Sequence, residues 1–222
     1  MGTTTEGEGG ACIDAGRLIR LQTWLSPGFP ISSYAFSHGL EAAVELGWVR
    51  TRAQLIAWLD GVVTRGSGRV DAGLFAAVWD HDLGSIASLA RAWRSTSELA
   101  HEAELQGDAF ARAVAAGWPQ FQPPRGLPLP VAVAATAKAA GIACQPALAA
   151  YLAAFVGAMV SAAVRAVPLG QSDGVAAQAA LEPAVLALAA APPALDSLGS
   201  GAIALDFASM AHETLSTRVF RT

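Results

Sequence analysis

The sequence predicts an all-α fold: a single-domain helical bundle of about nine or ten helices. Three observations predict it. Apolar residues recur at the 3.6-residue period over most of the chain, as in Leu55, Trp58, Leu59, Val62 and Val63. No alternation of period two lasts long enough to argue for a sheet. Helix-start signals, Thr51 with Gln54 and Ser95 with Glu98, stand where periodic segments begin.

The elements follow in order. Leu18, Leu21, Gln22 and Leu25 mark a first helix, stopped by Pro27. Residues 34–46 read as a second, ended by Gly47 as a left-handed cap. The capping box at Thr51 opens a third. Residues 71–79 and 85–93 read as short helices, and the box at Ser95 opens a longer one to about Ala116. The stretch "GWPQFQPPRGLPLP", residues 117–130, is the one long break. Helices resume at Val131, at Pro146 and near Asp173. Pro146 suits a helix start, where a missing N–H costs nothing, whereas Pro183 should kink or split its helix. "APPALDSLGSG" is a turn, and a last helix runs from about Ala202 to His212 before the tail "ETLSTRVFRT". Residues 1 to about 14, glycine-rich and acidic, read as a disordered segment, with the helical domain spanning 15–222.

Composition narrows the function. The 222 residues carry a net charge of −4 with no lysine or arginine block, so nucleic-acid binding has no support. Apolar residues make up 53% and charged ones only 14%, which leaves apolar surface for a partner to cover. The two cysteines, Cys12 and Cys144, have no metal spacing, and no disulfide framework is expected, which fits a cytoplasmic protein. Residues 139–164 carry no charge and are long enough to span a bilayer. They contain Gly141, Gln145 and Pro146, are mostly alanine and lack aromatic belts, so the expectation is a buried central helix and no membrane. Its stripe Ala153, Gly157 and Ser161 would allow close helix packing.

Catalytic chemistry is hard to find. "RGSGRVDAG", residues 65–73, lacks the Gly-Lys-Ser/Thr ending of a phosphate loop and reads as a helix connection. "ELAHE" puts Glu98, His101 and Glu102 on one helical face, the pattern a helical metal-dependent enzyme would use. The motif occurs once, and Glu98 also serves as a cap at the positive end of a helix. "WDHDL" reads as a helix-end turn. Cys144 lies in an apolar run, where a thiol stays protonated. No catalytic, cofactor or metal site is expected.

Three stretches are polar and specific within the alanine-rich background: "SPGFPISSYAFSHGLE", "VRAVPLGQSDG" and "DFASMAHETLSTRVFRT". The first is either a stiffened turn leading into a helix or a gripping surface. The second suits a helix–turn–helix, with Gly170 as cap and Ser172 or Asp173 as N-cap. The third is either a frayed end or, with Val219 and Phe220 beside Arg218 and Arg221, a docking element.

These stretches resemble the UreF family of urease accessory proteins. The first block matches at Ser26, Pro27, Pro30, Tyr34, Phe36, Ser37, Gly39, Leu40 and Glu41. The second matches at Pro168, Leu169, Gly170, Gln171, Ser172 and Asp173, with Arg165 just before it keeping the family's positive charge. The third matches at Ser209, Met210, His212, Glu213, Arg218, Phe220 and Arg221. Departures are Ser32, Ser33 and Tyr34 in place of Gly-Gly-Phe, and His38 in place of glutamine. Arg165 replaces lysine, Ala211 arginine and Ser216 tyrosine. The resemblance implies a non-enzymatic chaperone without cofactors, active in nickel insertion into the urease apoprotein. It implies a homodimer that binds the accessory protein UreD (UreH) and recruits the GTPase UreG, using the matched residues. Leu215, Val219 and Phe220, which a frayed end would leave exposed, are expected to order against UreD, with Arg218 and Arg221 at the rim.

Overall fold

A computed structural model of the chain describes residues 13–222. The first twelve positions of the expected disordered segment lie outside them. Asp14 does not belong to such a segment: its side chain accepts from the Arg17 amide and caps α1, Ala15–Trp24.

The regular structure among the described residues is all helical, with no strand. After α1 come α2 (Leu40–Glu45), α3 (Arg52–Arg65), α4 (Ser67–Ala77), α5 (Leu83–Ala92) and α6 (Ser97–Gly117). Then follow α7 (Leu129–Ala139), α8 (Cys144–Ala166), α9 (Gln171–Ala190) and α10 (Ile203–His212). Short 3-10 turns sit at Ser33–Ala35, Pro119–Phe121 and Leu195–Ser197, the last two inside the predicted break and turn. Helix α8 is the hub, packed by α2, α3, α4, α7 and α9. Leu148 and Leu152 from α8, Val131 and Ala134 from α7, and Leu74 and Phe75 from α4 are fully enclosed there. Helices α8 and α9 are long and apolar enough to cross a membrane by length and composition. The enclosure of α8 is that of a core helix.

Local chemistry explains where the chain departs from expectation. The predicted second helix is broken, because His38 and Gly39 adopt left-handed φ of 56° and 79°. A Cβ at Gly39 would lie 3.2 Å from the Ser209 amide, so glycine lets the start of α2 approach α10. "RGSGRVDAG" is mostly helix rather than connector; only Gly66 separates α3 from α4. A Cβ at Gly68 would lie 2.8 Å from Val63 Cα, and one at Gly73 2.7 Å from the Pro193 carbonyl, so both glycines serve packing. The cap of α6 is Thr96, whose Oγ1 accepts from the Leu99 amide, and Ser95 lies outside it. At Thr51 both halves of the capping box form. Gly170 caps α9 and Asp173 reaches back to its amide at 3.2 Å. Helix α9 continues through Pro183; the carbonyl that loses its donor, at Ala179, sits on the exposed face, where water can replace the bond. Asp82 caps α5, so "WDHDL" is a helix-end turn.

Candidate functional site: a carboxylate–histidine seam

Helices α2, α6 and α10 meet along a buried polar seam. Each contributes acidic or histidine side chains, and the C-terminal tail lies across them. Glu41 on α2 accepts from the backbone amides of Val219, at 2.7 Å, and Phe220, at 3.0 Å. The same carboxylate lies 3.1 Å from Nε2 of His212 on α10. Nδ1 of His212 lies 2.7 Å from Glu98 on α6. The ring is fully enclosed, with a carboxylate at each of its two nitrogens. Glu98 also takes Arg218 Nη1 at 2.6 Å.

One turn along α6, Glu102 accepts from the Thr222 hydroxyl at 2.7 Å and from Gln106 at 3.3 Å. It lies 3.5 Å from Nδ1 of His38, whose Nε2 is 2.7 Å from the Ser67 hydroxyl. The Thr222 carbonyl accepts from both the amide and the hydroxyl of Ser37. Burial works to raise the Glu102 carboxyl, but His38, Thr222 and Arg94 together hold it below the ordinary value. Beneath the seam Asp71 takes Arg94 and Tyr151, each at 2.8 Å. Burial and the Asp71 charge push the Tyr151 phenol well above its usual range. Each buried charge faces an opposite one or a hydrogen-bond donor, the condition under which such groups are tolerated.

The matched residues therefore separate into two kinds. Ser37, Gly39, Leu40, Glu41, Ser209, His212 and Phe220 are buried in or beside the seam. Ser26, Pro27, Tyr34 and Phe36 line a cavity next to it, and Pro30 is exposed. Met210, Glu213, Arg218 and Arg221 face outward, as do Pro168, Gly170, Gln171 and Ser172, with Leu169 and Asp173 half-buried. Asp173 pairs with Arg52 at 3.1 Å. Arg165 stacks 4.6 Å above the Phe220 ring and so joins the second block to the third.

The tail differs from the sequence expectation. Phe220 and Thr222 are seated in this chain rather than left for a partner, because Glu41, Glu102 and Ser37 satisfy their backbone and side-chain groups. The acidic face of α6 differs too. Glu98 and Glu102 turn inward to histidines of other elements while His101 is exposed, so the three do not converge. Among the described residues no three acidic, histidine or cysteine side chains are arranged to hold a metal ion. Glu98 serves His212 and Arg218 rather than a cap. Burial raises the Cys144 thiol, as the apolar setting suggests. Sequence reasoning missed Thr96, Thr222, Asp71, Arg94 and Tyr151. One signal for the seam was present: Glu98 and Glu102 repel each other at i, i+4, which calls for cations from elsewhere.

The family model for UreF matches residues 49–182. A urease accessory protein UreF of Cereibacter sphaeroides strain ATCC 17023 is 47% identical over 208 residues, covering 92% of this chain and 98% of that protein. The UreF of Methylobacterium radiotolerans is 44% identical over 220 residues, 92% of this chain and 96% of its own. That of Jannaschia sp. strain CCS1 is 43% identical over 217 residues, 95% and 98% respectively. With identity of this order along almost the whole length, the chain belongs to the UreF family of urease accessory proteins.

Proposed function

We propose that this protein is a non-enzymatic scaffold, or chaperone, for nickel insertion into the urease apoprotein. It bridges UreD (UreH) and the GTPase UreG in the cytoplasm. The observation that carries the reading is what the seam leaves outside. Ile203 and Phe207 of α10 and Val219 of the tail are 65%, 60% and 75% exposed, and Met210 of α10 and Arg221 of the tail are exposed as well. Large apolar side chains with a basic rim suit a protein partner better than water. We assign UreD to this face. A second copy is assigned to the outward face of α9, where Val175, Ala179 and Leu186 are exposed with Glu182 as the one charge among the outward side chains.

The test is co-purification with UreD and UreG, followed by urease activation with and without this chain. Phe207→Asp should lose UreD and activation while keeping the helical circular dichroism of the parent. Truncation after Thr214 should lose both as well, together with some stability, because it leaves Glu41 and Glu102 without their tail donors. Full activation of urease in the absence of the chain would overturn the scaffold reading. Wild-type UreD affinity in Phe207→Asp would move the docking face elsewhere.

A further inference from the structure

Beside the seam lies a cavity of about 450 Å³ that the scaffold reading does not use. Its size is that of a small-molecule site. The walls are aromatic: Trp24 from α1, Tyr34 and Phe36 at the 3-10 turn, Phe110 from α6, and Tyr151 and Phe155 from α8. Its polar end is formed by His38, Glu102 and Gln106. The His38 ring stands edge-on to Phe155, with centroids 5.2 Å apart. No lysine or arginine lines the cavity among the described residues.

We propose that this cavity binds an organic cation, an ammonium or guanidinium group carried on an apolar stem. Aromatic faces are negative at their centres and attract cations. Oε2 of Glu102 is engaged by His38 and Thr222, but its Oε1 accepts only the 3.3 Å bond from Gln106, which leaves a lone pair for a further donor. A neutral apolar ligand would offer that oxygen no donor, and an anion would set a second acceptor against it. The stem has its own place. Ala153, Ala154, Gly157 and Ala158 give α8 a flat wall of small side chains along the cavity. The proposal stands apart from the scaffold reading and does not depend on it.

The same chemistry is carried by a free alkylamine and by a lysine or arginine side chain of another protein. Calorimetric titration of the full chain at neutral pH with four probes separates these sources. They are hexylamine, hexan-1-ol, the peptide acetyl-Leu-Lys-Leu-amide, and that peptide with norleucine in place of lysine. At least one cationic probe should bind about tenfold tighter than its neutral counterpart, which is 1.4 kcal/mol. Binding of the free amine alone assigns a small ligand, and binding of the peptide alone assigns a partner's side chain. Glu102→Gln should abolish the preference for charge. Gly157→Leu, which projects into the cavity away from the seam, should abolish binding altogether and covers the case in which Glu102→Gln does not fold. Neutral probes binding as well as cationic ones, no probe binding, or cation binding unchanged in Gly157→Leu would each overturn the proposal.

Discussion

Around α8 the bundle is built mainly from alanine, valine, leucine and phenylalanine, with Thr136 and the Tyr151–Asp71–Arg94 group as polar exceptions. Between α2, α6 and α10 it is built from three glutamates, two histidines and the hydroxyls and amides that bond to them. The two regions answer differently to chemical change. An apolar interface is non-directional, so its cost of perturbation follows volume. A buried polar seam is directional, so its cost follows the count of donors and acceptors left unpaired. The first holds the bundle together. The second decides where the last ten residues go.

The largest break should come in the apolar region. Phe75 is fully enclosed and packs on Trp79 and Tyr151 at 5.8 and 5.5 Å. Phe75→Ala should cost about 3–5 kcal/mol in chemical denaturation and expose tryptic sites throughout the chain. In the seam, Glu41→Gln keeps the volume but loses the charge that faces His212 and two tail amides. Its expected cost is about 1.5–3 kcal/mol. The informative readout is where trypsin cuts: cleavage at Arg218 should quicken while the bundle stays protected. General cleavage in Glu41→Gln would mean that the seam is as much part of the global core as α8 is.

Acid should distinguish the two regions as well. The Glu102 carboxyl is held below its ordinary value of 4.5 in the folded chain. Below about pH 4.5 the unfolded chain therefore takes up a proton at Glu102 before the folded one does, and stability falls as pH drops toward the folded value. Glu102→Gln should be less stable than the parent at neutral pH and show a shallower loss on acidification. Equal slopes in thermal melts between pH 3 and 6 would show that Glu102 does not contribute to acid lability.

These regions were not equally legible. The helices around α8 could be read from periodicity because an apolar face repeats locally, and the box at Thr51 needs only two residues three apart. The seam joins residues more than a hundred positions apart, such as Glu98 with His212 and Glu41 with Phe220, and no local pattern records such pairs. Family blocks marked Glu41, His212 and Phe220 as special. They did not reveal that these residues touch one another. Glu98 and Glu102 were misread for the same reason: their partners lie on other elements.

The smallest effects are expected on α8 itself, whose two faces can be compared with a pair of glycines. Gly174 of α9 is buried against α8, and a Cβ there would lie 3.1 Å from both Val160 and Val164. Gly174→Ala should therefore cost on the order of 1 kcal/mol, since two β-branched side chains must give way. The small-residue stripe suggests close helix packing at Gly157. That glycine is only half-buried and borders the cavity, and a Cβ there meets only the Gln178 amide at 3.4 Å. Replacing a helical glycine by leucine also recovers roughly 0.5–1 kcal/mol of helix propensity. Gly157→Leu should thus melt within a degree or two of the parent or slightly above it, since one kilocalorie moves a domain of this size by only about 2–4 °C. A loss as large as that of Gly174→Ala would mean that the cavity face of α8 is closed in solution, and that the small-residue stripe packs against a helix after all.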